Sequence, residues 1–94
     1  MARITPGNRL YLYALFKREI GVGRQTMLSL AEQVLVDDDI WPQDLECADY
    51  REVMDALDDI VRVTVFKKGR VYVTLIPRPD FDEILEAPVE KPIA

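Results

Sequence analysis

The sequence predicts an α+β domain: three helices, then a two-stranded antiparallel hairpin, then a short C-terminal helix. Two observations carry this. Residues 61–75 alternate aliphatic with polar or aromatic side chains on either side of Lys67-Lys68-Gly69, the pattern of a hairpin with one buried face. Ahead of them, apolar stretches around Leu12, Val34 and Val53 have helical spacing and are bounded by capping and stopping residues. At 94 residues the chain holds a single domain. We place it at residues 8–86, with 87–94, interrupted by Pro88 and Pro92, as a flexible tail or the start of a linker.

Pro6-Gly7-Asn8 reads as a turn, with Asn8 capping a first helix over residues 10–20 that Gly21 closes. Leu12, Phe16 and Ile20 form one ridge, with Leu15 beside it. Residues 10–16 are apolar without a break, more than one stripe requires, so either several neighbours cover this helix or Tyr11 and Tyr13 meet a partner chain. The Leu-Tyr-Leu-Tyr alternation also fits a strand, but Ala14, Lys17, Arg18 and Glu19 favour helix. Residues 25–28 suit a short extended stretch. Ser29-Leu30-Ala31-Glu32 fits a capping box opening a second helix to about Val36, with Leu30, Val34 and Leu35 inward. Asp37-Asp38-Asp39 stops it, because carboxylates at a helix C-terminus oppose its dipole. Trp41 is driven out of the α region by Pro42. Asp49 caps a third helix to about Asp59, burying Val53, Met54, Leu57 and Ile60.

The hairpin register follows from its faces. A two-residue Lys68-Gly69 turn would pair Val65 with Tyr72 and mix them. A three-residue loop with Gly69 left-handed instead pairs Val65 with Val71, Val63 with Val73 and Val61 with Leu75. All six aliphatics then share one face, and Arg62, Thr64, Phe66, Arg70, Tyr72 and Thr74 share the other. Pro77-Arg78-Pro79 ends the strand, and Asp80 opens the last helix, with Ile84 and Leu85 inward.

Composition narrows the chemistry. The chain has no histidine, which removes the commonest general base and the commonest metal ligand together. Its lone Cys47 has acidic neighbours and no histidine to activate it, and one cysteine implies no internal disulfide and a reducing, cytoplasmic home. Asp37-Asp38-Asp39 lacks the alternating spacing and glycine of a calcium loop. We therefore expect no catalysis, no metal and no cofactor, and with no long apolar run, no membrane span.

Charge is distributed in blocks. Residues 1–24 hold five bases and one acid; residues 32–59 hold eleven acids and one base; residues 62–78 hold five bases and no acid; residues 79–94 hold five acids and one base. The acid-free block coincides with the hairpin.

The order helix, short extended stretch, helix, helix, hairpin resembles a winged-helix domain, the hairpin being its wing. Two features, the twelve residues at 37–48 between the second and third helices and a third helix flowing directly into a strand at residues 58–63, resemble the LOTUS (OST-HTH) variety. The resemblance covers residues 10–75. Winged helices imply DNA binding, and the LOTUS variety implies RNA binding or docking to a protein.

The residues themselves shift the expected contact from helix to wing. Residues 50–59 carry four acids and one base, a charge that phosphates flanking a major groove would repel. Arg62, Phe66, Lys67, Lys68, Arg70 and Tyr72 combine bases with aromatics, as single strands or RNA require. The plain alternative is that the bases guard an edge strand against pairing. A rival functional class is protein interaction or homodimerisation through Tyr11, Tyr13, Trp41 and the acidic face; its plain alternative is that these aromatics complete the core.

Overall fold

The computed structural model describes residues 4–86; the tail expected at 87–94 lies outside them. Thr5, rather than Asn8, caps the first helix. Its hydroxyl accepts a hydrogen bond from Asn8 N at 3.1 Å, and α1 runs Pro6–Glu19. Pro6 occupies the first turn, where its missing N–H is no loss and its fixed φ is already helical. What reads locally as a turn is thus a helix start. The other end is as expected: the Ile20 and Gly21 amides both return to the Phe16 carbonyl, and Gly21 takes φ 101°.

β1 (Gln25–Met27) passes directly into α2 (Leu28–Asp37). Because β1 is hydrogen-bonded to the sheet as far as Met27, helix and strand share a boundary there. Ser29 falls inside the first turn and makes no cap. The buried residues of α2 are Ala31 and Leu35, and Val34 is partly buried. Leu30, expected inward, is 57% exposed.

Residues 38–49 contain a 3-10 helix, Pro42–Leu45, that places Leu45 in the core, with Cys47 just beyond it. Trp41 is extended, as its proline requires (φ −109°, ψ 152°). Asp49 caps α3 (Tyr50–Ala56) by accepting from Glu52 N at 2.9 Å. This helix is shorter than expected. Leu57 and Ile60, both fully buried, lie in the turn that carries the chain into β2 (Val61–Val65).

β2 and β3 (Val71–Leu75) pair in the expected register, with Val61 opposite Leu75, Val63 opposite Val73 and Val65 opposite Val71. Both Lys68 (φ 68°) and Gly69 (φ 75°) are left-handed at the turn. The sheet has a third strand: β1 pairs antiparallel with β3, giving the order β1-β3-β2. Only the base of the aliphatic face is covered. Val61, Val73 and Leu75 are buried, whereas Val65 near the turn is 56% exposed, so the hairpin tip extends beyond the helices. The core joins these residues to Leu12, Tyr13, Leu15 and Phe16 of α1 and to Val53 and Met54 of α3. α1 packs against α2, β3 and α4 (Pro79–Glu86), which accounts for most of its unbroken apolar run. In α4 the inward aromatic is Phe81, whereas Ile84 and Leu85, expected to face the core, are exposed.

α4 is held by a polar network centred on Arg78. Its guanidinium bridges Asp59 and Asp80 at 3.0 and 2.8 Å and stacks over Phe81 at 4.3 Å. Its amide donates to the Tyr13 hydroxyl, which in turn donates to Asp82; Lys17 binds that same carboxylate at 2.8 Å. The hydrogen bond from Lys17, with that from Tyr13, lowers the pKa of Asp82, and Arg78 lowers that of Asp80. A carboxyl depressed in the folded state stabilises it above the unfolded pKa, near 4, and that stability is lost as pH falls through the folded value. Acid unfolding below about pH 4 should therefore be shallower in Asp82→Asn than in the parent; tyrosine or circular-dichroism titration checks this, and equal profiles would remove Asp82 from the network. No helix of the described residues is long and apolar enough to cross a membrane.

Candidate nucleic-acid interface

Antiparallel sheets commonly cover one face and leave the other to water. Here the uncovered face takes alternate residues from all three strands. Gln25 and Met27 come from β1, Thr74 and Tyr72 from β3, Arg62 and Thr64 from β2, and Phe66 and Arg70 close the turn; none is buried. Phe66 N donates to the Arg70 carbonyl at 2.7 Å, so Phe66 lies diagonally across from Tyr72. Their rings meet edge to face, with centroids 5.2 Å apart and planes at 83°. Together with Lys67, Lys68, Arg70 and Gln25 they line an open cleft of about 630 Å³. The structure thus brings together five of the six residues the sequence nominates. Arg62 is exposed on β2 and faces a separate depression shared with Asp55 and Asp58.

The bases divide sharply by location. Arg9 and Arg78 pair with Asp59, Lys17 with Asp82, Arg18 with Glu19, and Arg51 with Asp55. Among the described residues, Arg24, Arg62, Lys67, Lys68 and Arg70 pair with no carboxylate. Four of these five are on the hairpin, and Arg24 stands immediately before β1. A second trough of about 560 Å³, holding Arg24, Met27 and Leu30, shares Gln25 and Tyr72 with the first cleft. No family model matches the chain, nor does any curated protein or solved structure.

Arg24 and Gln25 escape a reading of the sequence because β1 reaches β3 only through a non-local pairing. Arg78 goes the other way: it belongs to the acid-free block but is spent on Asp59 and Asp80.

The nominated partner-binding aromatics separate. Tyr13 is fully buried and hydrogen-bonded on both sides, so it completes the core and cannot meet a partner chain. Tyr11 and Trp41 are 53% and 45% exposed. The aspartate run supports them: Asp38 accepts from the Tyr11 hydroxyl, Asp39 from Trp41 Nε1, and Asp37 from Gln33. These carboxylates act as local acceptors, and among the described residues no cluster of metal-ligating side chains occurs. Cys47 is buried, its Sγ 3.5 Å from the Leu45 carbonyl, and burial foremost pushes its thiol pKa up, away from the nucleophilic thiolate.

Proposed function

We propose that this domain is a non-catalytic, nucleic-acid-associated module of winged-helix type that contacts phosphates through its basic hairpin. The observation that carries the reading is the segregation of unpaired bases onto the hairpin, in a chain of net charge −5. Apart from Arg24, and from Arg62, which shares a depression with Asp55 and Asp58, the bases among the described residues outside the hairpin tip neutralise neighbouring acids. Lys67, Lys68 and Arg70 are exposed and pair with none. Such a patch exchanges its counterions for phosphates at little cost in desolvation. The element order and the β1-β3-β2 sheet support the winged-helix comparison. The direct passage from helix to strand expected of the LOTUS variety is not found, since α3 stops at Ala56 and a turn over residues 57–60 precedes β2. Insertion of α3 into a major groove is disfavoured, since Glu52, Asp55 and Asp58 on and after it face solvent wholly or in part.

The test is salt dependence. Anisotropy titrations of labelled RNA, single-stranded DNA and duplex DNA at several salt concentrations should give log–log slopes of roughly −2 to −3 for single strands and roughly −3 to −4 for duplex, the release expected of three or four phosphate contacts. Absence of binding to all three polymers at low salt overturns the reading. Protein docking through Tyr11 and Trp41 then leads, because both stay half exposed although their polar atoms are already hydrogen-bonded. Concentration-dependent mass in light scattering would mark a second copy as that partner.

A further inference from the structure

We propose that the open sheet face selects single strands over duplex, stacking one base on Phe66 beside Tyr72 and leading the backbone from Lys67, Lys68 and Arg70 towards Arg24. This rests on the phosphate-binding reading above and adds strandedness and a base pocket to it. Phosphate contacts alone would be served by bases at a bare hairpin tip. This tip also holds two aromatic rings, and Phe66 remains 44% exposed although it belongs to no core. An edge-to-face contact covers one face of one ring only, and with Phe66 44% exposed, apolar ring surface is left open beside three cations. A duplex keeps its base faces stacked inside and has nothing to place there. A single strand has both faces of each base to offer.

The second half of the track is the trough that shares Gln25 and Tyr72 with the first cleft. Gln25 bears a carboxamide with no hydrogen-bond partner among the described residues. It offers a donor and an acceptor to a base edge in the cleft that also holds the stacking ring. Arg24 provides the only base of this trough. The carboxylates there, Glu19 and Asp37, are engaged by Arg18 and by Gln33. They confine a phosphate to the Arg24 side.

The experiment uses the full chain and labelled oligouridine, oligothymidine and a duplex, each of about ten units, within the range one small domain occupies. Phe66→Leu should weaken binding of the single strands about 5- to 140-fold, the loss of one stack. Its salt slope and its duplex affinity should equal the parent's, and Phe66→Trp should restore single-strand binding. Arg24→Ala should lower the single-strand slope by about 0.7 and leave the duplex slope unchanged. Phe66 is outside the core, so both variants should melt with the parent. Tight binding of either sugar supports the proposal and the tighter one names the polymer. Salt-dependent binding that Phe66→Leu leaves intact, or weakens equally for duplex, overturns this inference alone. Absence of salt-dependent binding by the parent overturns the phosphate-binding reading with it.

Discussion

Val73→Asp is expected to abolish cooperative folding. Val73 is on the central strand, hydrogen-bonded to both neighbours, and is 5% exposed among the residues of α1 and α3. Removing the valine forfeits about 1.5 to 3 kcal/mol of apolar burial. Placing a carboxylate there adds several kcal/mol more, because no described base or polar side chain is buried nearby to receive it. A domain of this size is stable by about 5 to 15 kcal/mol in total, so the sum consumes most or all of it. Val65→Asp is the control. It has the same residue type, strand pair and sheet face, and differs in being 56% exposed. It should change the urea midpoint little, within the roughly 0.5 kcal/mol typical of surface positions. If both variants unfold, the hairpin tip is packed against something and the face assignment fails. If neither does, β3 is not the centre of the core.

The contrast between these two valines shows what local pattern conveys. Alternation with period two specifies which residues share a face, and it delivers the hairpin register and the left-handed Gly69 without error. It cannot say how far the helices extend over that face, because that depends on contacts distant in sequence. The same limit explains α2. Leu30 and Ala31 are adjacent, and hydrophobicity favours the leucine as the inward residue, yet the helix start fixed by the β1–β3 ladder turns Ala31 to the core. It explains α4 as well, where Phe81 rather than Ile84 or Leu85 meets Tyr13, edge to face at 5.5 Å. Capping was legible where a side chain had a single use, as at Asp49. It was misread where proline at the first helical position imitated a turn.

The candidate site was legible as composition and illegible as electrostatics. A run free of acids from Arg62 to Arg78 is visible in the sequence, but the sequence does not show which of its bases are already neutralised. Arg78, at its end, is paired with an acid from before β2 and another from α4, and its guanidinium is held more firmly protonated by both. Arg24, outside the run, is unpaired and reaches the same face through β1. Ion pairing between distant segments converts a charge block into a surface, and only the folded chain displays it.

The combination Lys67→Ala, Lys68→Asn and Arg70→Ala should produce the largest functional loss. Asparagine is chosen at position 68 because the backbone there is left-handed (φ 68°), a region it tolerates better than alanine. All three side chains are exposed and unpaired, so the thermal transition should move little. If each contacts one phosphate, the single-strand slope should flatten by about 2 units and the duplex slope by nearly 3. Counterion release vanishes as an energy source near 1 M salt. Losing 2 units of slope at about 50 mM therefore costs roughly 500-fold in single-strand affinity. Asp55→Lys with Asp58→Lys, reversing charge beside α3, should not weaken binding and should strengthen it nonspecifically. The plain alternative, that the bases only keep the β2 edge from pairing, makes the opposite forecast. The triple variant would then bind nucleic acid like the parent but gain mass with concentration in light scattering. Unchanged affinity and slope in a folded, monomeric triple variant would remove the hairpin from the interface altogether.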